Sequence, residues 1–270
     1  MSREKKTKKY FGICLSGGKN EKTFFARIDE FDKENKLILT SILNAPQGDY
    51  NTSNDKLLLQ HFSKIKNIAA VGVDVPTDLP KCVTCKLKCP GVERCKVESV
   101  KYMWDLHRKK EKNKPVFTPY TERAVEHYIN AIEKDVFLSA ALGANSAPLT
   151  ARAKFLQKHF KATFKEVFPK LTYLRLSRHF GLPREFFNTK RHSEDGDEAR
   201  WQFLKLLTNT DMIFMYNQDV QLMVDNPYAF DAFMVALTLI LDSRKLCEPR
   251  PKGFPKADSW ILFPKEQIEI

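Results

Sequence analysis

The sequence has no apolar run long enough to span a bilayer, and its basic opening, MSREKKTKKY, lacks the apolar segment of a secretory signal. A soluble, cytoplasmic protein with no membrane partner is therefore expected. Internal repeats and low-complexity segments are absent as well. Cysteine is scarce: there are six, and four of them fall between Cys82 and Cys95. In a cytoplasmic chain that distribution argues against a disulfide framework and for a metal site. Acids are outnumbered, with 33 Asp plus Glu against 45 Lys plus Arg, giving a formal charge of +12. A basic balance suits a polyanionic partner such as nucleic acid, although charge by itself does not establish one.

What is present is globular. With 270 residues, 43% hydrophobic residues and 20 Phe, the chain can bury a substantial core. It reads as one large α/β domain with insertions, or at most two small domains. Tyr10 to Leu15 is a short buried strand closed by the Gly17-Gly18 turn signal. TFFARIDEF alternates, and the polar turn DKENK leads to a third strand over Leu37 to Leu43, so the opening is an antiparallel meander. Ser53 is placed to cap a helix carrying Leu57, Leu58, His61, Phe62 and Ile65 at helical spacing. The run Ile68 to Asp74 that follows has the pattern of a strand covered on both faces. After a crossover helix it should lie parallel to an earlier strand.

Three antiparallel strands, a helix and a parallel strand are the opening order of a ribonuclease H-like fold, with the ends of the first and fourth strands side by side. ATFKEVFPKL reads as a fifth strand with Phe164, Glu166 and Phe168 on one face. The expected architecture is α/β: a mixed sheet with strands 1–3 antiparallel and strands 4–5 parallel, flanked by helices. The domain would span residues 8–245, with an inserted cysteine loop at 80–96 and a C-terminal extension at 246–270, where SWILFP is a last edge strand.

Three acids fall on elements that should be buried. Asp74 ends a strand, where open α/β sheets place their ligands. Glu166 lies on an apolar strand face, where a carboxylate is costly unless it is salt-bridged, hydrogen-bonded or bound to a metal. Asp231 sits in YAFDAFMVALTLIL, a helix apolar nearly all round and started by Asn226 and Pro227; a metal-binding or catalytic role competes there with a dipole or core salt-bridge role. Carboxylates drawn together repel unless divalent cations lie between them, and Mg²⁺ or Mn²⁺ held this way activates water for phosphodiester cleavage.

In order along the chain, GICLSGGKNEKT, VGVDVP, FTPYTERAVE, ALGANSAPLTARA, KEVFP and AFDAFMVALT resemble the family called domain of unknown function 429, described as predicted nucleases with a ribonuclease H-like fold. The resemblance covers residues 10 to 242. It implies that Asp74, Glu166 and Asp231 are the acidic site residues. The family usually has an aspartate where this chain has Cys14. A thiol is a softer ligand than a carboxylate, and it loses its proton at neutral pH only beside a metal or a cation.

The spacing C-x2-C-x3-C-x5-C at Cys82, Cys85, Cys89 and Cys95 is the most specific local signal. Four thiolates on a short loop suit Zn²⁺, an iron–sulfur cluster is the alternative, and a metal-free loop is the third possibility. The span is close to that of a zinc knuckle, a nucleic-acid module. Beyond it, Val97 to Lys112 is a basic helix with Lys101, Arg108, Lys109, Lys110 and Lys112 around Tyr102, Met103 and Trp104. It is either a solvated face or a contact with a phosphate backbone. NTKRHSEDGDEA at 188–199 reads as a surface loop in which His192 is solvated or a ligand, and the ARWQFLKLLTNTDMIFMY that follows has helical spacing. Two functions follow: a metal-dependent nuclease, or a catalytically silent binding module in which Cys14 has replaced the first acid. The sequence leaves the oligomeric state open.

Overall fold

The short polar connections at the start do produce a meander. In the computed structural model, β1 (Thr7–Cys14) pairs antiparallel with β2 (Phe24–Phe31), which pairs antiparallel with β3 (Lys36–Asn44). The structure describes residues 7–17, 22–31, 36–110, 117–187 and 194–268, without the side chains of Lys110 and Glu194. Gly18, positions 32–35 of the second turn, Lys112 and His192 therefore lie outside the described residues.

α1 (Asn54–Ser63) starts where its cap predicts, with the Ser53 hydroxyl accepting from the Lys56 N–H at 3.3 Å. It buries Leu58 and Phe62 and leads into β4 (Ile68–Val73), which lies parallel to β1. Then come α2 (Lys81–Thr84), a single 3-10 turn at Val92–Arg94, α3 (Glu98–Lys110), α4 (Ala124–Ile132) and α5 (Ser146–His159). β5 (Phe164–Val167) runs parallel to β4 and is followed by α6 (Pro169–His179) and α7 (Glu194–Asn209). The chain closes with β6 (Ile213–Phe214), α8 (Asn217–Asp225), α9 (Pro227–Ser243) and β7 (Ile261–Leu262). Among the described residues these strands form a seven-stranded mixed sheet of order β6-β3-β2-β1-β4-β5-β7, flanked by helices. SWILFP does supply its edge strand.

Three local expectations give way to backbone chemistry. Phe168 is the N-cap of α6 and not a strand residue, because Pro169 has no N–H for a ladder and its fixed φ suits a first helical turn. Positions 194–199 are helical, since the acids opening α7 favour a helix N-terminus. That helix stops at Asn209, where Thr210 and a left-handed Asp211 (φ 53) make a turn into β6, which pairs parallel with β3.

The chain divides into two units. The first takes the chain through Asp74, Phe155–Glu248 and Leu262 onward; the second takes Val75–Lys154 and Pro249–Ile261. The domain read as continuous from 8 to 245 is thus interrupted, the cysteine loop belongs to the second unit, and the C-terminal extension is shared between the two.

α9 is the core of the first unit. Asn226 caps it by accepting from the Tyr228 and Ala229 N–H groups at 2.9 and 3.2 Å, and it is buried nearly all round, as its composition predicts. Its backbone lies directly on β1. A Cβ at Gly12 would run into the Ala232 carbonyl and the Ala236 N–H, and one at Gly72 would come within 2.7 Å of Val235 Cγ1. In the second unit, α3 packs against α4. Arg123 Nε and Glu126 Oε1 form a buried pair at 2.8 Å, and Ser99 Oγ donates to Asp258 Oδ1 at 2.5 Å.

Candidate metal centre

The register of β1 and β4 sets Gly12 opposite Gly72 and Ile13 opposite Val73, so the two strands end level. Strand periodicity puts Cys14 on the face of Gly12 and Asp74 on the face of Gly72. Both glycines meet α9, and Asp231 immediately precedes the Ala232 whose carbonyl faces Gly12. As a result Cys14 Sγ and a carboxylate oxygen from each of Asp74 and Asp231 all lie within 4.8 Å of one another. Cys14 is 1% exposed and the two aspartates are half-buried. Asp74 is anchored twice: its N–H donates to the Ile13 carbonyl at 3.2 Å, and its Oδ1 accepts from the Leu15 N–H at 2.8 Å.

Beside this cluster is a cavity of about 300 Å³ whose lining includes Asp74, Asp231, Lys170, Tyr173 and Arg200. Arg200 is 2% exposed; its Nε donates to the Val224 carbonyl at 2.8 Å and its Nη2 pairs with Asp197. Burial lowers its pKa, while Asp197 and Asp231 act in the opposite sense, so Arg200 places a fixed positive charge near Asp231. Tyr173 is of another kind. Burial pushes its pKa up to about 12, and its hydroxyl donates to the Phe186 carbonyl at 2.7 Å, which makes it a packing group and not a proton donor near neutrality.

The second unit holds a larger cavity, about 600 Å³, lined in part by His107, Glu122, Glu126, His127 and the start of α5. Its acids are already engaged. Glu126 is held by Arg123, and Glu122 accepts from the Thr118 N–H at 2.9 Å with His127 Nε2 at 3.4 Å.

Of the acids singled out from sequence, the structure brings Asp74 and Asp231 together and leaves Glu166 apart. β5 pairs Glu166 with Val73, so its side chain lies on the sheet face opposite Gly72 and Asp74. Its neighbour Lys165 takes the α9 face instead and meets Asp242 at 2.6 Å. The third member of the cluster is Cys14, on β1. The loop cysteines Cys82, Cys85, Cys89 and Cys95 do not form a comparable group of three; among the described residues Cys14, Asp74 and Asp231 alone do. On α3, Lys101, Arg108 and Lys109 are exposed over a buried Met103, while the side chain of Lys110 lies outside the described residues. Arg200 was missed in the sequence, although a signal existed: it shares helical spacing with the buried Phe203, Leu204 and Leu207.

Two carboxylates and a thiol are a donor set for one divalent cation. Metal–oxygen and metal–sulfur bonds of about 2.1–2.3 Å put donors on opposite sides of an ion about 4.4 Å apart, which the observed separations accommodate. The thiol biases such a site from Mg²⁺ toward Mn²⁺ or Zn²⁺. No family model, curated protein or solved structure matches the chain. No single helix among the described residues is long and apolar enough to cross a membrane.

Proposed function

We propose that this protein is a divalent-metal-dependent nuclease with a ribonuclease H-like fold, in which Cys14, Asp74 and Asp231 hold the cation, Mg²⁺ or Mn²⁺. The observation that carries the reading is the convergence of these three donors at the level ends of β1 and β4. The central strand order β3-β2-β1-β4-β5, antiparallel through β1 and parallel beyond it, supports the fold and, with the ordered motifs, membership in the domain of unknown function 429 family. The cation's contribution when bound is to activate water and steady the leaving oxygen. The chain's own residues prepare that chemistry. Leu15 N–H orients the Asp74 carboxylate, Arg200 offsets charge at Asp231, and Lys170 offers a cation to a phosphate in the same cavity.

The formal charge of +12 and the exposed Lys101, Arg108 and Lys109 support a nucleic-acid substrate. None of the six cysteines forms a disulfide, which suits a reducing compartment. The test is cleavage of labelled linear, flap and branched DNA and RNA–DNA hybrids with Mg²⁺ or Mn²⁺, comparing wild type with Asp74→Asn. Cleavage present in the first and lost in the second supports the reading. The burial of Cys14 in the place of an acid supports a second reading, a catalytically silent module that binds nucleic acid or a protein partner. Binding of the same panel without cleavage by folded wild type would select it.

A further inference from the structure

From Lys81 to Glu98 no residue is buried. The segment is nevertheless built of defined turns. Val83 N–H donates to the Pro80 carbonyl at 3.0 Å and Cys85 N–H to the Cys82 carbonyl at 3.4 Å. After Gly91 (φ 92), Arg94 N–H donates to the Gly91 carbonyl at 3.3 Å and Cys95 N–H to the Val92 carbonyl at 3.2 Å. Val83 and Leu87 are left exposed, so apolar burial does not hold this stretch. Segments too small for a core of their own are fixed by a covalent or metal crosslink.

We infer that Cys82, Cys85, Cys89 and Cys95 bind one Zn²⁺ as a structural four-thiolate site that pins this segment. The turns place Cys82 with Cys85, and Cys95, at the ends of short helical pieces, with Cys89 between them. None of the four is buried, so drawing them onto one ion disturbs no core packing. Binding forms four Zn–S bonds and releases the thiol protons to solvent, with no change of oxidation state. Lys86, Lys88, Arg94 and Lys96 then offset the anionic centre. Four soft donors select zinc, and the ion serves architecture because a four-thiolate shell leaves no open position for a substrate.

The inference is independent of the nuclease reading, and its test separates the two. Full-length protein is purified without added metal, and zinc is measured per chain in wild type, in Cys85→Ser/Cys89→Ser and in Cys14→Ser/Asp74→Asn. Cys85 and Cys89 are both exposed, so their replacement removes no packing, and far-UV circular dichroism checks the fold. The expected result is about one zinc in wild type and in Cys14→Ser/Asp74→Asn, and at least a tenfold loss in Cys85→Ser/Cys89→Ser together with faster proteolysis within 81–98. Zinc retained by the loop variant, or none bound by wild type after incubation with Zn²⁺, overturns the site. Iron with acid-labile sulfide and a brown colour overturns zinc in favour of a cluster.

Discussion

The N–H of Leu15 donates to Asp74 Oδ1 at 2.8 Å, tying the residue that leaves β4 to the chain that leaves β1. Asp74→Asn keeps an oxygen acceptor there, so it should change stability by less than about 1 kcal/mol, whereas Asp74→Ala should lose about 1–2 kcal/mol. Urea unfolding of the two variants checks this, and it qualifies Asp74→Asn as the probe that separates a ligand role from a structural one.

Gly12 and Gly72 set the distance between α9 and the sheet. Gly12→Ala meets helix backbone, which does not move aside, and should cost about 3 kcal/mol or more. Gly72→Ala meets the side chains of Val235 and Leu239 and should cost about 1–2 kcal/mol. Urea midpoints give the ranking, and equal costs would contradict this account of how Asp231 reaches Cys14.

On the proposed reading, Cys14 would set the metal preference. Cys14→Asp should raise Mg²⁺-supported cleavage at least tenfold, while Cys14→Ser should lower Mn²⁺-supported cleavage more than Mg²⁺-supported cleavage. Rates in the two metals, compared across the three proteins, read this directly.

Much of this arrangement was legible because its determinants are local. The strand periods, the Ser53 and Asn226 caps and the apolar run of α9 all predict what the structure shows. Register was not legible. Alternation puts Glu166 on a buried face of β5 without saying which one, and only the pairing with Val73 shows that it turns away from Asp74. The two-residue β6 was hidden for a related reason: such a short strand leaves no period to read, and its pairing with β3 is non-local.

Asp258 makes the second unit pH-sensitive. It is 5% exposed, its Oδ2 has no hydrogen-bond partner among the described residues, and burial raises its pKa despite the bond from Ser99. A carboxyl whose folded pKa lies above its unfolded value stabilises the fold while protonated, and that stability is lost as pH rises through the folded pKa. Asp258→Asn should therefore unfold at a higher urea concentration than wild type at pH 7, with the advantage shrinking as the pH falls below the carboxylate range. A variant weaker than wild type at pH 7 would contradict it.

The most direct measurement is Mn²⁺ binding followed by electron paramagnetic resonance for wild type, Cys14→Ser, Asp74→Asn and Asp231→Asn. Mn²⁺ is chosen because a four-thiolate loop discriminates against it. The account predicts one site in wild type and at least tenfold weaker binding in each aspartate variant, with Cys14→Ser also weakened. Equal binding in wild type and both aspartate variants, all folded, would contradict the claim that these residues hold a cation.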